Sequence, residues 1–204
     1  MNALNAYLPP NAADLIRELL KGHDVKIFIK NPRKTKLGDY RYLRRNHQIT
    51  INANLNPYAF LLTLLHEIAH LYDFAKWGKK PPGIHGASWK SIFGSFLKKA
   101  VQRNLFPLPL AKYIENHAYN PPSATFRDLD LARALRAYDE TNTAGAGLVA
   151  LQDLPENALF YYGGKGVFRK LKKRRKNFLC MALKIQKYYV FNPLTEVEPI
   201  DNEA

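Results

Sequence analysis

Residues 57–77 form a long apolar run interrupted by a few titratable side chains, as in "LLHEIAHLYDF" at 64–74. Asn56 followed by Pro57 is a favourable helix start, and Gly78 is a favourable helix end. The sequence therefore predicts a single helix over 57–77. Because nearly all of its other residues are Tyr, Phe, Leu, Ile or Ala, we expect this helix to be buried on most sides.

The polar residues of this helix share one stripe. A rotation of ~100° per residue places them within a sector of about 120°. They are Thr63, His66, Glu67, His70 and Asp73. A helix face in solvent usually carries Lys, Glu and Gln rather than two histidines one turn apart. We therefore expect the stripe to face a cleft.

Two of these residues have the spacing of metal ligands. His66 and His70 are at i and i+4, so both imidazoles can bind one ion, while Glu67 is turned aside and can hold the attacking water. This HExxH pattern is typical of zinc hydrolases. The sequence predicts one Zn²⁺ per chain, with Glu67 as the catalytic acid and base.

A hydrolytic zinc site usually has three protein ligands and keeps one position for water. The metzincin spacing would need a histidine at position 76, where this chain has Lys76. Glu115 is a possible ligand but lies far along the chain. His85 follows a turn rich in Gly and Pro and precedes the next predicted helix, so it is the better candidate.

These motifs resemble those of the SprT-like, or Spartan-type, zinc metalloproteases. "HEIAH" is followed, fifteen residues after His70, by His85 within "HGASW", which matches the HGxxW of that family. "GDYRYLRRNHQITIN" is similar to its strand pair before the zinc helix. The resemblance covers about 10–103 and, more loosely, the β strands of the C-terminal tail. It implies zinc binding by His66, His70 and His85, catalysis by Glu67, and substrates that are proteins attached to DNA.

The remaining pattern predicts an α+β fold in three parts. Residues 1–103 are expected to form a zincin-like domain, with a small three-stranded sheet, the HExxH helix and a following helix after the ligand loop. Residues 104–154 are predicted to be a bridge, irregular over 104–122, and "TNTAGAG" within it reads as a linker. Residues 155–204 are predicted to be a small basic β domain of three short strands. The other predicted elements are helices at 11–21, capped by Asn11, and at 127–139, and strands at 25–30, 40–45 and 48–52 with a turn near 46–47.

Composition restricts the partners and the compartment. The chain has 31 Lys and Arg against 17 Asp and Glu, a formal charge of +14, which predicts attraction to polyanions. Cys180 is the single cysteine of the sequence, so neither a disulfide nor a cysteine-based second zinc site is expected. We read no signal peptide and no membrane span, and we expect a cytoplasmic protein.

The charge is densest near the C-terminus. From Gly163 to Lys187 there are ten Lys or Arg and no Asp or Glu. Basic residues interleaved with aromatic ones suit single-stranded nucleic acid, because charge follows the backbone and rings stack on bases. An ordinary solvated hairpin, or an acidic or membrane partner, is the alternative. The candidate nucleic-acid residues are Arg169, Lys170, Lys172, Lys173, Arg174, Arg175 and Lys176.

The sequence thus predicts a zinc-dependent endopeptidase that acts on proteins bound or crosslinked to DNA. Two alternatives stay open. One is a nucleic-acid-binding protein whose zinc site is structural or vestigial, and the other is a zinc protease with no DNA role.

Overall fold

The computed structural model describes residues 2–33, 35–43, 45–78, 83–123, 128–139 and 148–200. The chain divides into two compact units, Met1–Glu140 and Thr141–Ala204, and each has its own hydrophobic core. The predicted linker at 141–147 lies outside the described residues. Within the described ranges, no helix has the length and apolar character needed to cross a membrane.

The first unit packs helices against a small three-stranded sheet. The central strand β3 pairs in parallel with β1 and antiparallel with β2, in the order β1-β3-β2. Ile49 and Ile51 of β3 are fully buried. They are two residues apart and therefore lie on the same face of the sheet, because successive side chains of a strand point to opposite faces. The mixed α+β class and the three-stranded sheet are confirmed. The elements are α1 (Asn2–Asn5), α2 (Ala12–Leu20), β1 (Val25–Lys30), β2 (Gly38–Leu43), β3 (Asn46–Asn52), α3 (Pro57–Trp77), α4 (Ala87–Gln102), α5 (Leu108–Tyr119) and α6 (Leu129–Arg136).

Helix α3 begins and ends where the sequence predicts. The Asn56 side chain accepts hydrogen bonds from the backbone N–H groups of Tyr58 and Ala59, two donors that a first helical turn leaves free. Gly78 follows the last turn with a φ of 67°, a conformation that glycine adopts at little cost. The helix is buried on most sides, as expected. Its buried apolar residues are Phe60, Leu61, Leu62, Leu64, Leu65, Ile68, Ala69 and Leu71.

The prediction that residues 104–122 are irregular is wrong. Helix α5 occupies 108–119 and packs on α4. Pro107 precedes it and Pro109 lies in its first turn, where a missing N–H costs no helical hydrogen bond. These prolines therefore mark a helix start. Leu110 and Ile114 of α5 are fully buried in the core of the first unit.

Two smaller predictions also need correction. Asn11 has a φ of 64° and its side chain makes no capping hydrogen bond to α2, so the helix starts without the expected cap. The β2–β3 turn comes earlier than predicted, because Leu43 pairs with Asn46 and His47 already lies within β3.

The second unit contains one sheet with the strand order β4-β9-β5-β6-β7-β8. The first of its three predicted strands is in fact the hairpin β5–β6, which turns through Gly163, Gly164 and Gly166, all with positive φ. Phe160, Phe168 and Val197 lie in its core. Its strands are β4 (Val149–Ala150), β5 (Leu159–Tyr161), β6 (Val167–Arg174), β7 (Asn177–Ala182), β8 (Lys187–Phe191) and β9 (Glu196–Ile200).

Candidate metal centre

Three histidines converge in a cleft beside helix α3. His66 and His70 lie one turn apart on α3, and His85 lies just before α4. The Nε2 atom of His85 is 3.1 Å from Nε2 of His70 and 3.3 Å from Nε2 of His66. Within the part of the chain that the structure describes, these three form the one group with metal-ligand geometry, and their ligand atoms all lie within 4.8 Å of one another.

These separations fit a single ion. Zn–N bonds of about 2.0–2.1 Å at tetrahedral angles place two nitrogen ligands about 3.3–3.4 Å apart. The imidazoles also have the protonation state that a ligand needs. Burial, reinforced by the neighbouring histidines, lowers the pKa of His66 to about 3 and that of His70 to about 4. Both rings are therefore neutral at pH 7 and offer free lone pairs to a cation.

The carboxylate of Glu67 lies next to this group and is almost fully buried. Burial and, to a lesser extent, the nearby Asp39 carboxylate raise the pKa of Glu67 to about 8, although a hydrogen bond from the backbone N–H of Tyr40 opposes the shift. A cation held by the three histidines would favour the ionised form of this carboxylate. The protonation state of Glu67 thus depends on its surroundings, as that of a general base does.

Strand β2 forms the wall opposite α3 and fixes the position of Glu67. A Cβ atom at Gly38 would lie 2.6 Å from Oε1 of Glu67 and 2.7 Å from Cγ2 of Thr63. The missing side chain of Gly38 therefore makes room for the carboxylate. Two residues further on, Tyr40 lines the same cleft, and its hydroxyl lies 2.8 Å from Nδ1 of His47. Burial raises the pKa of the Tyr40 phenol, so it keeps its proton.

Aromatic packing supports the histidines from behind. Trp89 is fully buried, and its ring centre lies 4.6 Å from those of His66 and His85. The indole N–H of Trp77, at the end of α3, donates to Oγ of Ser88 at 3.0 Å. Because Ser88 is in the first turn of α4, this bond joins the two helix ends on either side of the His85 loop.

The cleft itself is open and has a volume of about 400 Å³. Besides the three histidines and Glu67, charged and apolar side chains line it, among them Lys36, Asp39, Asp73, Phe74 and Ile84. Four of the five residues of the predicted stripe of α3 therefore line a cleft, and the structure brings together all four residues predicted for the metal site.

Comparison with known families identifies this region. Residues 11–105 match the model of the SprT-like family. This segment is a SprT-like domain. The match contains β1 to β3, α3 and the His85 loop, whereas α5 and α6 lie beyond it. The SprT-like assignment and the histidine cluster are together compatible with a metallopeptidase. No curated protein and no solved structure matches the chain significantly.

Sequence reasoning missed the contribution of β2 to the cleft of the SprT-like domain. Gly38 and Tyr40 reach the site only because β2 packs against α3, a tertiary contact that local pattern does not encode. The glycine before the predicted strand pair was the available clue, since a glycine in a strand often marks a close approach of another group.

The candidate nucleic-acid residues lie on β6 and the turn that leads to β7. Most of them are exposed side chains, namely Arg169, Lys172, Lys173, Arg174, Arg175 and Lys176. Lys170 is different, and its inclusion among the contact residues is corrected. It is 4% exposed, and its ammonium donates to the backbone carbonyls of Gln152 and Leu154 and lies 4.1 Å from the centre of the Phe178 ring. Lys170 is thus a structural residue of the second unit.

Proposed function

We propose that this chain is a zinc-dependent endopeptidase. The observation that carries the proposal is the convergence of three histidine Nε2 atoms beside the buried carboxylate of Glu67 in an open cleft. Three ligands leave a position free for water and substrate, whereas a structural zinc site is usually closed by a fourth side chain. The fold of residues 1–103 is accordingly proposed to be zincin-like, with His66, His70 and His85 as the zinc ligands.

The residues of the chain divide the chemistry between them. When bound, zinc supplies a Lewis acid that polarises the scissile carbonyl and makes water more acidic. Glu67 accepts a proton from the attacking water and delivers it to the leaving amine. The backbone N–H of Tyr40 and the space at Gly38 hold the carboxylate in place for both transfers. Tyr40 also offers a protonated phenol within the cleft, a donor of the kind that stabilises a developing oxyanion.

Metal removal and reconstitution test the proposal. Protein stripped with a strong chelator is expected to lose cleavage of an unstructured peptide, and one equivalent of zinc should restore it. A stripped protein that cleaves at the rate of the reconstituted one would show that the histidine cluster is not the catalytic centre.

A second part of the proposal concerns the substrate. We infer that the second unit binds single-stranded DNA, so that the enzyme acts on proteins bound or crosslinked to DNA. The support is the exposed basic set of β6 and its turn, in a chain of charge +14. Exposed rings accompany it, since Tyr161, Tyr188 and Tyr189 are at least 38% accessible. Charge that follows phosphates and rings that stack on bases are the two elements of single-strand binding.

This part needs its own experiment. The zinc-loaded protein is incubated with a DNA-binding protein, with and without single-stranded DNA, and fragments are followed over time. Faster cleavage with DNA is expected, because one strand holds enzyme and substrate together. Cleavage at the same rate would indicate a protease with no DNA role. DNA binding without any cleavage would indicate the other alternative, a binding protein with a structural or vestigial zinc site.

A further inference from the structure

Asp73 lies in the candidate active-site cleft but has no part in the proposed chemistry. It is on α3, one turn beyond His70 and on the same stripe, and it lines the cleft. The residue is 3% exposed. Its Oδ1 atom is buried and has no hydrogen-bond partner among the residues that the structure describes.

An unpaired carboxylate oxygen is unusual in such a place. Removing a charged oxygen from water without a compensating partner costs at least about 1–3 kcal/mol, so buried charges are normally paired. The other two carboxylates of the cleft follow this rule. Asp39 forms ion pairs with Lys36 at 2.9 Å and with Arg41 at 2.5 Å. Glu67 accepts a hydrogen bond from the backbone N–H of Tyr40. Among the described residues, Oδ1 of Asp73 therefore lacks the donor that a buried carboxylate oxygen normally has.

Apolar side chains share the cleft with Asp73. Phe74 and Ile84 line the same cleft, and Ile84 is 71% exposed. A cleft that combines apolar side chains with a buried carboxylate suits a group with an aliphatic stem and a cationic end. Lysine and arginine side chains have this construction.

We propose that Asp73 is a specificity residue that binds a lysine or arginine side chain of the substrate close to the scissile bond. Asp73 lies one helical turn from His70, and residues one turn apart have Cβ atoms about 5–6 Å from each other. A side chain bound at Asp73 therefore belongs to a residue near the bond that is cleaved at the histidines. This inference rests on the proposed peptidase function and adds a substrate class to it, namely polypeptide segments that contain lysine or arginine.

Peptide binding tests the subsite without relying on catalysis. The zinc-loaded Glu67→Gln protein is titrated with peptides of one sequence that carry lysine, arginine, norleucine or glutamate at a single position. That position is scanned along the peptide. At one position, lysine and arginine peptides should bind roughly 10–100-fold more tightly than the norleucine peptide, the range that a hydrogen bond to a charged group provides.

Substitutions then assign the preference to Asp73. Asp73→Asn, added to Glu67→Gln, keeps the shape of the side chain and should reduce the preference for lysine over norleucine to less than about twofold. Asp14→Asn removes the same charge from an exposed site on α2 and should keep the full preference. Circular dichroism and zinc content show whether each variant is folded and loaded.

The outcomes separate the subsite from the peptidase function. If the protein with Asp73 intact binds lysine and norleucine peptides equally at every position, or binds none of them, the subsite is refuted, whatever happens to the Asp73→Asn variant. The same is true if Asp73→Asn keeps the preference. If lysine peptides bind preferentially through Asp73 but the protein with Glu67 intact cleaves none of them, the subsite stands and the proposed function fails.

Discussion

His85 is the one candidate ligand that does not come from α3, and its removal should be the most informative single change at the metal site. His66 and His70 alone would form an incomplete site. We expect His85→Ala to weaken zinc binding by more than the roughly 10–100-fold that loss of an outer-shell partner costs. Competition against a chromophoric chelator measures the affinity. His23→Ala, outside the cleft, is the control, and wild-type affinity in His85→Ala would mean that the third ligand lies elsewhere.

Gly38 acts by the space that it leaves rather than by its backbone conformation. A methyl group there would meet Oε1 of Glu67 at 2.6 Å, so Gly38→Ala should displace the carboxylate. We expect kcat to fall by about 10²-fold or more, the lower range of general acid–base catalysis, with zinc content unchanged. Gly83→Ala is the matched control, because its added Cβ would meet only atoms at 3.7 Å or more. Equal kcat values for the two variants would contradict this role of Gly38.

At the scale of secondary-structure elements, the packing of α5 on α4 predicts that a Gly→Ala substitution in a helix destabilises the protein. Gly→Ala within a helix usually stabilises by roughly 0.5–1 kcal/mol. At Gly94 in α4, however, a methyl group would collide with the backbone carbonyl of Ala118 in α5. Gly94→Ala should therefore destabilise the first unit by about 1–3 kcal/mol. Urea denaturation measures the change, and a stabilised variant would show that α5 does not pack here.

Elements with strong local signals were predicted well from the sequence. The Asn56 cap and Gly78 fix both ends of α3, and its periodicity identifies the stripe that carries His66 and His70. Other features depend on tertiary contacts and were missed. The prolines within 104–122 led to the prediction of an irregular segment where the structure has helix α5. The apolar face of α5 is explained only by its packing on α4. Lys170 could not be distinguished from its exposed neighbours, because the carbonyls of Gln152 and Leu154 approach it only in the fold.

For the whole molecule, the proposed DNA role predicts a specific salt dependence. Lys170 is left intact, since its ammonium is buried. The exposed basic residues are neutralised by substitution with Gln, namely Arg169, Lys172, Lys173, Arg174, Arg175 and Lys176. The logarithm of the affinity for single-stranded DNA should then fall less steeply with the logarithm of salt concentration, by about 0.7 for each phosphate that the protein no longer neutralises. The stimulation of cleavage by DNA should disappear, while cleavage of a free peptide should persist.

A matched control separates the effect of where the basic residues lie from the effect of the net charge of the protein. Six exposed lysines of the first unit are replaced by Gln instead, namely Lys21, Lys26, Lys30, Lys76, Lys98 and Lys112. This control should keep most of the wild-type slope and the stimulation by DNA. If the variant of the β6 set responds to DNA as the wild type does, the second unit is not the DNA-binding element, and the basic loop before β2, which contains Arg33 and Lys36, becomes the next candidate.

Glu67→Gln tests the central claim, that the three histidines and Glu67 form one hydrolytic centre. Glutamine keeps the shape of the side chain but cannot accept the proton of the attacking water. The measurement is the rate at which an unstructured peptide is cleaved by wild-type and Glu67→Gln proteins that each contain one zinc per chain. We expect the variant to cleave about 10²–10⁴-fold more slowly. Cleavage by the variant at the wild-type rate, with zinc equally bound, would contradict the account.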